Sequence, residues 1–304
     1  MNKLHAAPEL AAYQDEPKQM PSGVVGKNAY LRLGFQRRGE RSALIDLQRR
    51  VPLLAQKALY WDAAMPDMPC VFIITTSGSV LQGDRYRIEI DVAPDTQAHV
   101  TTQAATKIHS MDANFAAQTQ EIVLGDNAYL EYLPDAVIPH AHARFITHTR
   151  IVLPSSATLL YSEILMPGRK YHKAGELYQY DLFSSTVRAE RPAGEELFTE
   201  KYVVEPNQRN VRRAGVMGEF DVFGNVVLLT PKDHADRIFE QTPAVFNRSE
   251  RWAAGASRLP NDAGLVYKVV GMESQLVRAI IRSFWSLVRQ EVVGAVVPSE
   301  FLWR

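Results

Sequence analysis

The chain of 304 residues holds a single cysteine, Cys70. One thiol excludes an internal disulfide and a cysteine-built zinc site. Its neighbours Val71, Phe72, Ile73 and Ile74 mark it as a core thiol, the usual fate of a free cysteine. An excess of one charge is equally lacking, since 34 Lys plus Arg balance 34 Asp plus Glu. Without a basic surplus the chain is not expected to hold a nucleic-acid backbone. No polybasic patch or lipidation signal points to a membrane surface. No apolar run reaches the roughly eighteen residues of a membrane span. The first residues lack the apolar stretch of a signal peptide, so the cytoplasm is the expected address. Catalytic signatures are missing too. There is no Gly-x-Ser-x-Gly elbow, no His-Glu-x-x-His and no carboxylate pair singled out by spacing. The expectation is a protein that is not an enzyme.

Apolar residues make up 46% and charged residues 22%, enough for a large core without staples. Residues 1–28, with Pro8, Pro17 and Pro21 and no sustained period, read as a poorly ordered leader. Residues 29–304 show no composition shift or repeat and read as one β-rich domain. Residues 86–92 alternate apolar and charged side chains, as a half-buried strand requires. Residues 128–133, 145–153, 158–165, 177–183 and 197–204 continue the theme. Gly224-Asn225, between the apolar runs of residues 220–229, reads as a two-residue hairpin connection. The pattern predicts a mainly β protein. Its architecture is a coiled, multi-stranded antiparallel or mixed one, β-helix-like or sandwich-like, with a few helices mostly near the C-terminal end. One helix is signalled by Thr230-Pro231-Lys232-Asp233: a capping hydroxyl, a proline at the first position and an acid in the first turn. It should run to about Gln241. A second is signalled by the stripe Leu276, Ile280, Phe284 and Val288, with Val277, Ile281 and Leu287 beside it and Arg278, Arg282 and Arg289 off it.

Four segments carry polar residues in unusual settings. In residues 77–84, Gly78 and Gly83 permit a turn and Asp84 is placed to cap backbone N–H groups. No Gly-Lys-Ser/Thr follows, so this is not a phosphate loop. In residues 101–107, Thr101, Thr102 and Gln103 precede Lys107. An ammonium among small residues predicts a buried or channel-facing charge that needs a carboxylate; Asp84, Glu131 and Glu163 are the candidates. In residues 130–142, Glu131 lies between aromatic side chains. His140 and His142 are two apart, so on a strand both face one way. His148 joins them if the strand continues. Imidazoles so placed suit nickel, copper or zinc, and the plainer alternative is ordinary surface histidines. In the fourth segment Glu163 precedes the Pro167-Gly168 turn, while Arg169 and Glu176 follow it. An ion-pair network around that turn is the expectation.

Taken in order, these segments resemble the urease accessory proteins of the UreD/UreH family. The resemblance rests on Gly83-Asp84, residues 101–107, residues 130–134 with Ile138-Pro139, and Glu163 with Gly168-Arg169 and Gly175-Glu176. It extends to the helix at residues 285–289 and the Phe301-Leu-Trp-Arg304 ending, and covers residues 35–304. The chain departs from the family pattern before Gly83-Asp84. Many members carry a histidine and a Pro-Pro-Gly-Gly stretch there, where this chain has Cys70 and Thr75-Thr76-Ser77-Gly78-Ser79.

The resemblance implies a coiled β scaffold that binds a UreF-type partner, which in turn recruits a UreG-type GTPase. The complex docks on apo-urease and supports GTP-dependent nickel insertion, with no tightly bound cofactor and nickel only in transit. An internal polar passage would use dispersed weak ligands, because a tight site traps the ion. The candidates are Asp84, Glu131, Glu163, Glu176 and, less centrally, His142. Lys107 would balance charge, and Thr101, Thr102 and Gln103 would hold water. The alternative is a pure protein-docking module in which the same residues only hold turns together.

Overall fold

The computed structural model describes residues 6–15 and 27–299. In chain order the strands begin with β1 (Asn28–Arg38), β2 (Arg41–Arg50), β3 (Leu53–Ala55), β4 (Cys70–Thr75), β5 (Arg85–Val92) and β6 (Gln97–Thr102). There follow β7 (Thr106–Ile108), β8 (Ala116–Leu124), β9 (Tyr129–Tyr132), β10 (Val137–Pro139), β11 (Arg144–Val152) and β12 (Thr158–Leu165). The last are β13 (Leu182–Glu190), β14 (Glu196–Val204), β15 (Val222–Leu229), β16 (Val245–Asn247), β17 (Trp252–Arg258) and β18 (Gly264–Gly271). Two α-helices, α1 (Lys232–Glu240) and α2 (Ser274–Val293), lie near the C-terminal end.

The strands form two sheets, ordered β14-β13-β11-β8-β5-β1-β2 and β16-β17-β18-β15-β12-β9-β6-β4-β3. The chain winds between them. β4, β6, β9 and β12 stack in parallel in the second sheet, while β5, β8, β11 and β13 stack in parallel in the first. Antiparallel strands flank this coil on both sheets. The mixed, coiled β architecture expected from the sequence is therefore the one observed. Inward side chains of both sheets, among them Leu33, Ile90, Ile122, Leu130, Ile151 and Leu159, fill the core between them. Burying each such side chain contributes about 1.5–3 kcal/mol.

Helix α2 builds a second core on the outer face of the larger sheet, with Val277, Ile281, Phe284, Trp285 and Val288 against Val226, Leu228, Leu265 and Val269. The buried face takes in Phe284 and Val288 of the expected stripe and Val277 and Ile281 beside it, while Leu276 and Ile280 are only half-buried. Arg289, expected off the stripe, is fully buried. It continues the four-residue spacing Val277, Ile281, Trp285, which puts it on the inner face. Helix α1 starts one residue later than its signals suggest. Pro231 is its N-cap, and Thr230 makes no capping bond but shares a hydrogen bond of 2.8 Å with Thr158.

The expected hairpin at Gly224-Asn225 is absent. β15 runs straight through both residues, pairing with β12 on one side and β18 on the other. Gly224 is needed for a close approach. A Cβ there would lie 2.8 Å from Ile281 Cδ1 and 3.0 Å from Val277 Cγ1 of α2. Within the segment read as a leader, Pro8–Tyr13 form a short 3₁₀ helix. Leu10 packs with Phe115, Ala117, Ile146 and Leu182, and Glu9 accepts a hydrogen bond from Ser184. The rest of the leader reading (residues 1–5 and 16–26) and the Phe301–Arg304 ending lie outside the described residues.

Candidate functional site

Between the two sheets lies a cavity of ≈ 60 Å³. By the usual ~10–15 Å³ per water this admits several water molecules. Tyr86, Gln118, Gln120 and Thr147 line it from one sheet, and Thr102, Tyr132, Tyr161 and Glu163 from the other. Alternating strand residues carry these groups inward, so the polar ones stand among Ile73, Ile88, Phe145 and Phe183.

Two carboxylates line the cavity: Asp135, paired with Arg278 Nη1 at 3.2 Å, and Glu163. Glu163 Oε1 accepts from Ser185 Oγ at 2.9 Å and Tyr161 OH at 3.0 Å, and its Oε2 accepts from Tyr202 OH at 3.4 Å. Among the described residues no cation pairs with it. Burial pushes its carboxyl above the usual range, and the hydroxyl donors offset only part of that. A hydrogen-bonded chain leads away from it. Tyr132 OH donates to Gln120 Oε1 at 2.6 Å, and Gln120 Nε2 donates to Tyr161 OH at 3.1 Å. The buried Thr147 hydroxyl on the same wall has no partner among the described residues.

Two further concavities adjoin the cavity. One, of ≈ 330 Å³, is lined by residues 78–80 and 102–107. It shares Ile73, Thr75, Thr102 and Thr106 with the cavity. The other, of ≈ 190 Å³, lies under Val216 and Met217 and shares Leu165 and Tyr202 with it.

Glu131 has a different setting. It is fully buried at the seam between β9 and α2 and saturated with donors. Tyr129 OH donates at 2.7 Å, Trp285 Nε1 at 2.7 Å, Arg289 Nε at 2.8 Å and Arg289 Nη2 at 2.7 Å, while His99 Nδ1 lies 2.8 Å away. Asp62 accepts from Arg289 Nη1 at 2.6 Å. Burial alone would raise the Glu131 carboxyl, but the His99 hydrogen bond and the Arg289 charge hold it down at about 2. No lone pair is left for a passing ion.

The other expected residues divide in the same way. Asp84, fully buried, accepts from the N–H of Lys27 and of Leu81 at 2.9 Å each and from Tyr86 OH at 3.0 Å. It fastens the turn in which Gly78 and Gly83 take φ of 71° and 76°. Thr101 donates to Leu133 O at 2.6 Å. Thr102 accepts from Asp135 N at 2.9 Å and lines the cavity. Gln103 is exposed at the adjoining rim. Glu176 accepts from Arg169 Nε at 2.7 Å and closes the Pro167-Gly168 turn. There Gly168 has φ of 131°, and an added Cβ would meet Glu176 O at 2.1 Å. This is the ion-pair network expected around that turn, but Glu163 is not part of it.

Two expectations fail on geometry. Lys107 is exposed on β7, and none of Asp84, Glu131 or Glu163 pairs with it. Small neighbours there reflect a shallow surface concavity instead of a buried charge. His140 and His142 do not share a strand face. β10 ends at Pro139, and His142 takes φ of 61° in the turn before β11. The His142 side chain is 70% exposed beside Asp181, while His140 is buried with its ring 5.3 Å from that of His109. Among the described residues no group of three or more His, Cys, Asp or Glu side chains converges to hold a metal ion.

Asp62, His99, Trp285 and Arg289 around Glu131, and Gln120, Tyr161, Ser185 and Tyr202 around the cavity, were not picked out from sequence. Only Arg289 left a signal, its four-residue spacing from Trp285. The rest come together through strand pairing between distant segments.

The fold and the site define a coiled, mixed β scaffold with a polar cavity between its sheets. The UreD urease accessory protein family model matches residues 27–304. Urease accessory protein UreD 2 of Brucella suis biovar 1 (strain 1330) is 61% identical over 300 residues, 99% of each chain. Urease accessory protein UreD of Yersinia pseudotuberculosis serotype O:1b (strain IP 31758) is 54% identical over 298 residues, 98% of this chain and 93% of the relative. The chain belongs to the UreD urease accessory protein family, and its role lies in urease maturation. Among the described residues no helix is long and apolar enough to cross a membrane.

Proposed function

We propose that the chain is a scaffold whose inter-sheet cavity lets nickel pass toward apo-urease, with Glu163 as the principal ligand along the way. The observation that supports this is the Glu163 carboxylate, between the sheets, held by hydroxyl donors and paired with no cation among the described residues. An unpaired carboxylate there costs stability, and a passing dication is a partner that offsets the cost. Hydroxyl and amide oxygens from Thr102, Thr147, Gln118 and Gln120 and several waters are weak ligands that an ion exchanges readily. No rigid set of ligands traps it. The adjoining concavities at residues 102–107 and under Met217 supply openings on either side. In this reading a UreF-type protein, a UreG-type GTPase and apo-urease assemble around the scaffold in the cytoplasm. Insertion is driven by GTP, and nickel is cargo and not a resident cofactor.

The pure docking module keeps one supporting observation: Asp84, Glu131 and Glu176 are all occupied by bonds that hold the fold. Glu163→Gln separates the two readings. The variant chain would be co-expressed with the three partners, the complex isolated by size exclusion, and nickel and urease activity measured. The passage predicts intact assembly with nickel delivery down at least roughly tenfold, since a neutral amide lacks the charge with which a carboxylate holds a dication. Unchanged nickel content in an intact complex would leave docking as the sole role.

A further inference from the structure

Beside the Pro167-Gly168 turn, an open concavity of ≈ 460 Å³ is lined by Lys107, His140, Arg169, Lys170, Tyr171 and His172. Its charges are unevenly compensated. Arg169 is forked onto Glu176. Lys170 Nζ lies 2.9 Å from Asp221 Oδ2 and 2.7 Å from Glu273 Oε1. Lys107 makes no ion pair among the described residues. A second observation is independent of charge. His140 is buried, and its Nε2 has no partner among the described residues. Burial and the nearby Arg169 charge hold His140 down at about 4, so its ring is neutral at pH 7. At the rim Tyr171 is 77% exposed, with its hydroxyl fixed on Glu273 at 2.6 Å.

We infer that this concavity receives an acidic side chain from a docking protein, with Lys107 as its counter-charge and Tyr171 as the rim contact. Charge complementarity selects the occupant: the surplus ammonium is met by a carboxylate. The width argues for a side chain carried on a backbone. A free small anion would remain largely in water here, where a single ion pair contributes little. Tyrosine is enriched at protein contacts, and the exposed Tyr171 ring stands 5.5 Å from Lys170 Nζ. Lys107 also borders the concavity of residues 102–107, but Glu163, the proposed passage ligand, lines neither concavity.

The test uses the full chain and a fluorescein-labelled hexaglutamate peptide, with hexaglutamine as control, followed by fluorescence anisotropy across a salt series. Hexaglutamate should bind more tightly than hexaglutamine and weaken as salt rises. Lys107→Glu should weaken it by roughly tenfold or more, through like-charge repulsion, and Lys107→Arg should retain it. Because Lys107 is exposed, both variants should keep the wild-type melting temperature; Lys107→Gln serves as a second loss-of-charge variant. Glu163→Gln should bind the peptide as wild type does. Equal affinity for the two peptides, or hexaglutamate binding that survives Lys107→Glu and Lys107→Gln, would overturn the inference. Displacement by free glutamate at matched carboxylate concentration would also overturn it, in favour of a small-molecule site.

Discussion

Arg289 of α2 and Glu131 of β9 meet as a forked ion pair, Nε to Oε1 at 2.8 Å and Nη2 to Oε2 at 2.7 Å, with both side chains fully buried. The pair ties the C-terminal helix to the parallel coil. Breaking one side leaves a charge in the core, which costs about 3–5 kcal/mol. Arg289→Ala should lower stability in urea by about that amount. Replacing both partners, as Glu131→Gln with Arg289→Met, should recover part of the loss. A cost below about 1 kcal/mol for Arg289→Ala would show that α2 does not depend on this pair.

The same network has an acid signature. Glu131 is held at about 2, against an ordinary 4.5. A depressed carboxyl contributes stability that is fully present above the unfolded value and fades as pH falls toward the folded one. The stability difference between wild type and Glu131→Gln should therefore be constant from pH 7 down to about 4.5, then shrink toward pH 2. Urea midpoints measured across that range check it. A difference that stayed constant all the way from pH 4.5 to pH 2 would contradict the depressed Glu131 carboxyl.

Strand periodicity made the fold legible, because alternation along residues 86–92 and 158–165 follows from having one buried face per sheet. The turns at Gly83-Asp84 and Gly168-Arg169 were legible too, since glycine at positive φ beside a capping acid is a local pattern. What escaped depends on neighbours remote in sequence. Gly224 looks like a turn residue but makes room for α2, fifty-odd residues later. Arg289 looks like a surface cation until its spacing from Val277, Ile281 and Trp285 is followed onto the inner face. Lys107 and His142 looked like site residues because local composition cannot tell a concave surface from an interior. Within the site, Glu163 was identified, yet Ser185 and Tyr202 reach it from other strands, and Gln120 joins through Tyr161.

The strand assignment of Gly224-Asn225 is open to a direct test. In a two-residue hairpin, Asn225→Gly would be tolerated or favourable. In a continuous strand it costs backbone entropy, about 0.5–1 kcal/mol, and removes the 2.8 Å hydrogen bond from Asn225 Nδ2 to Glu200 Oε2. Gly224→Ala should cost a further 1–3 kcal/mol, roughly, because its methyl meets Val277 and Ile281. Thermal melts should place both variants below wild type, and a stabilised Asn225→Gly would contradict the register.

Glu163 carries the opposite pH signature from Glu131. Its carboxyl is raised by burial, so ionising it is harder in the folded chain than in the unfolded one. Stability is then fully present below the unfolded value and is lost as pH rises through the folded one. Glu163→Gln cannot ionise, and its amide still bonds Ser185 and Tyr161. The variant should match wild type near pH 4 and exceed it in urea midpoint at pH 7 to 8. The same substitution is expected to stop nickel delivery, so a gain in stability should accompany a loss of function. That pairing distinguishes a working ligand from a structural one. Removing a structural carboxylate such as Glu131 weakens the fold, whereas removing one that waits for a cation relieves it. Equal stability of wild type and Glu163→Gln from pH 4 to 8 would mean that Glu163 already has a compensating partner and does not depend on a metal ion.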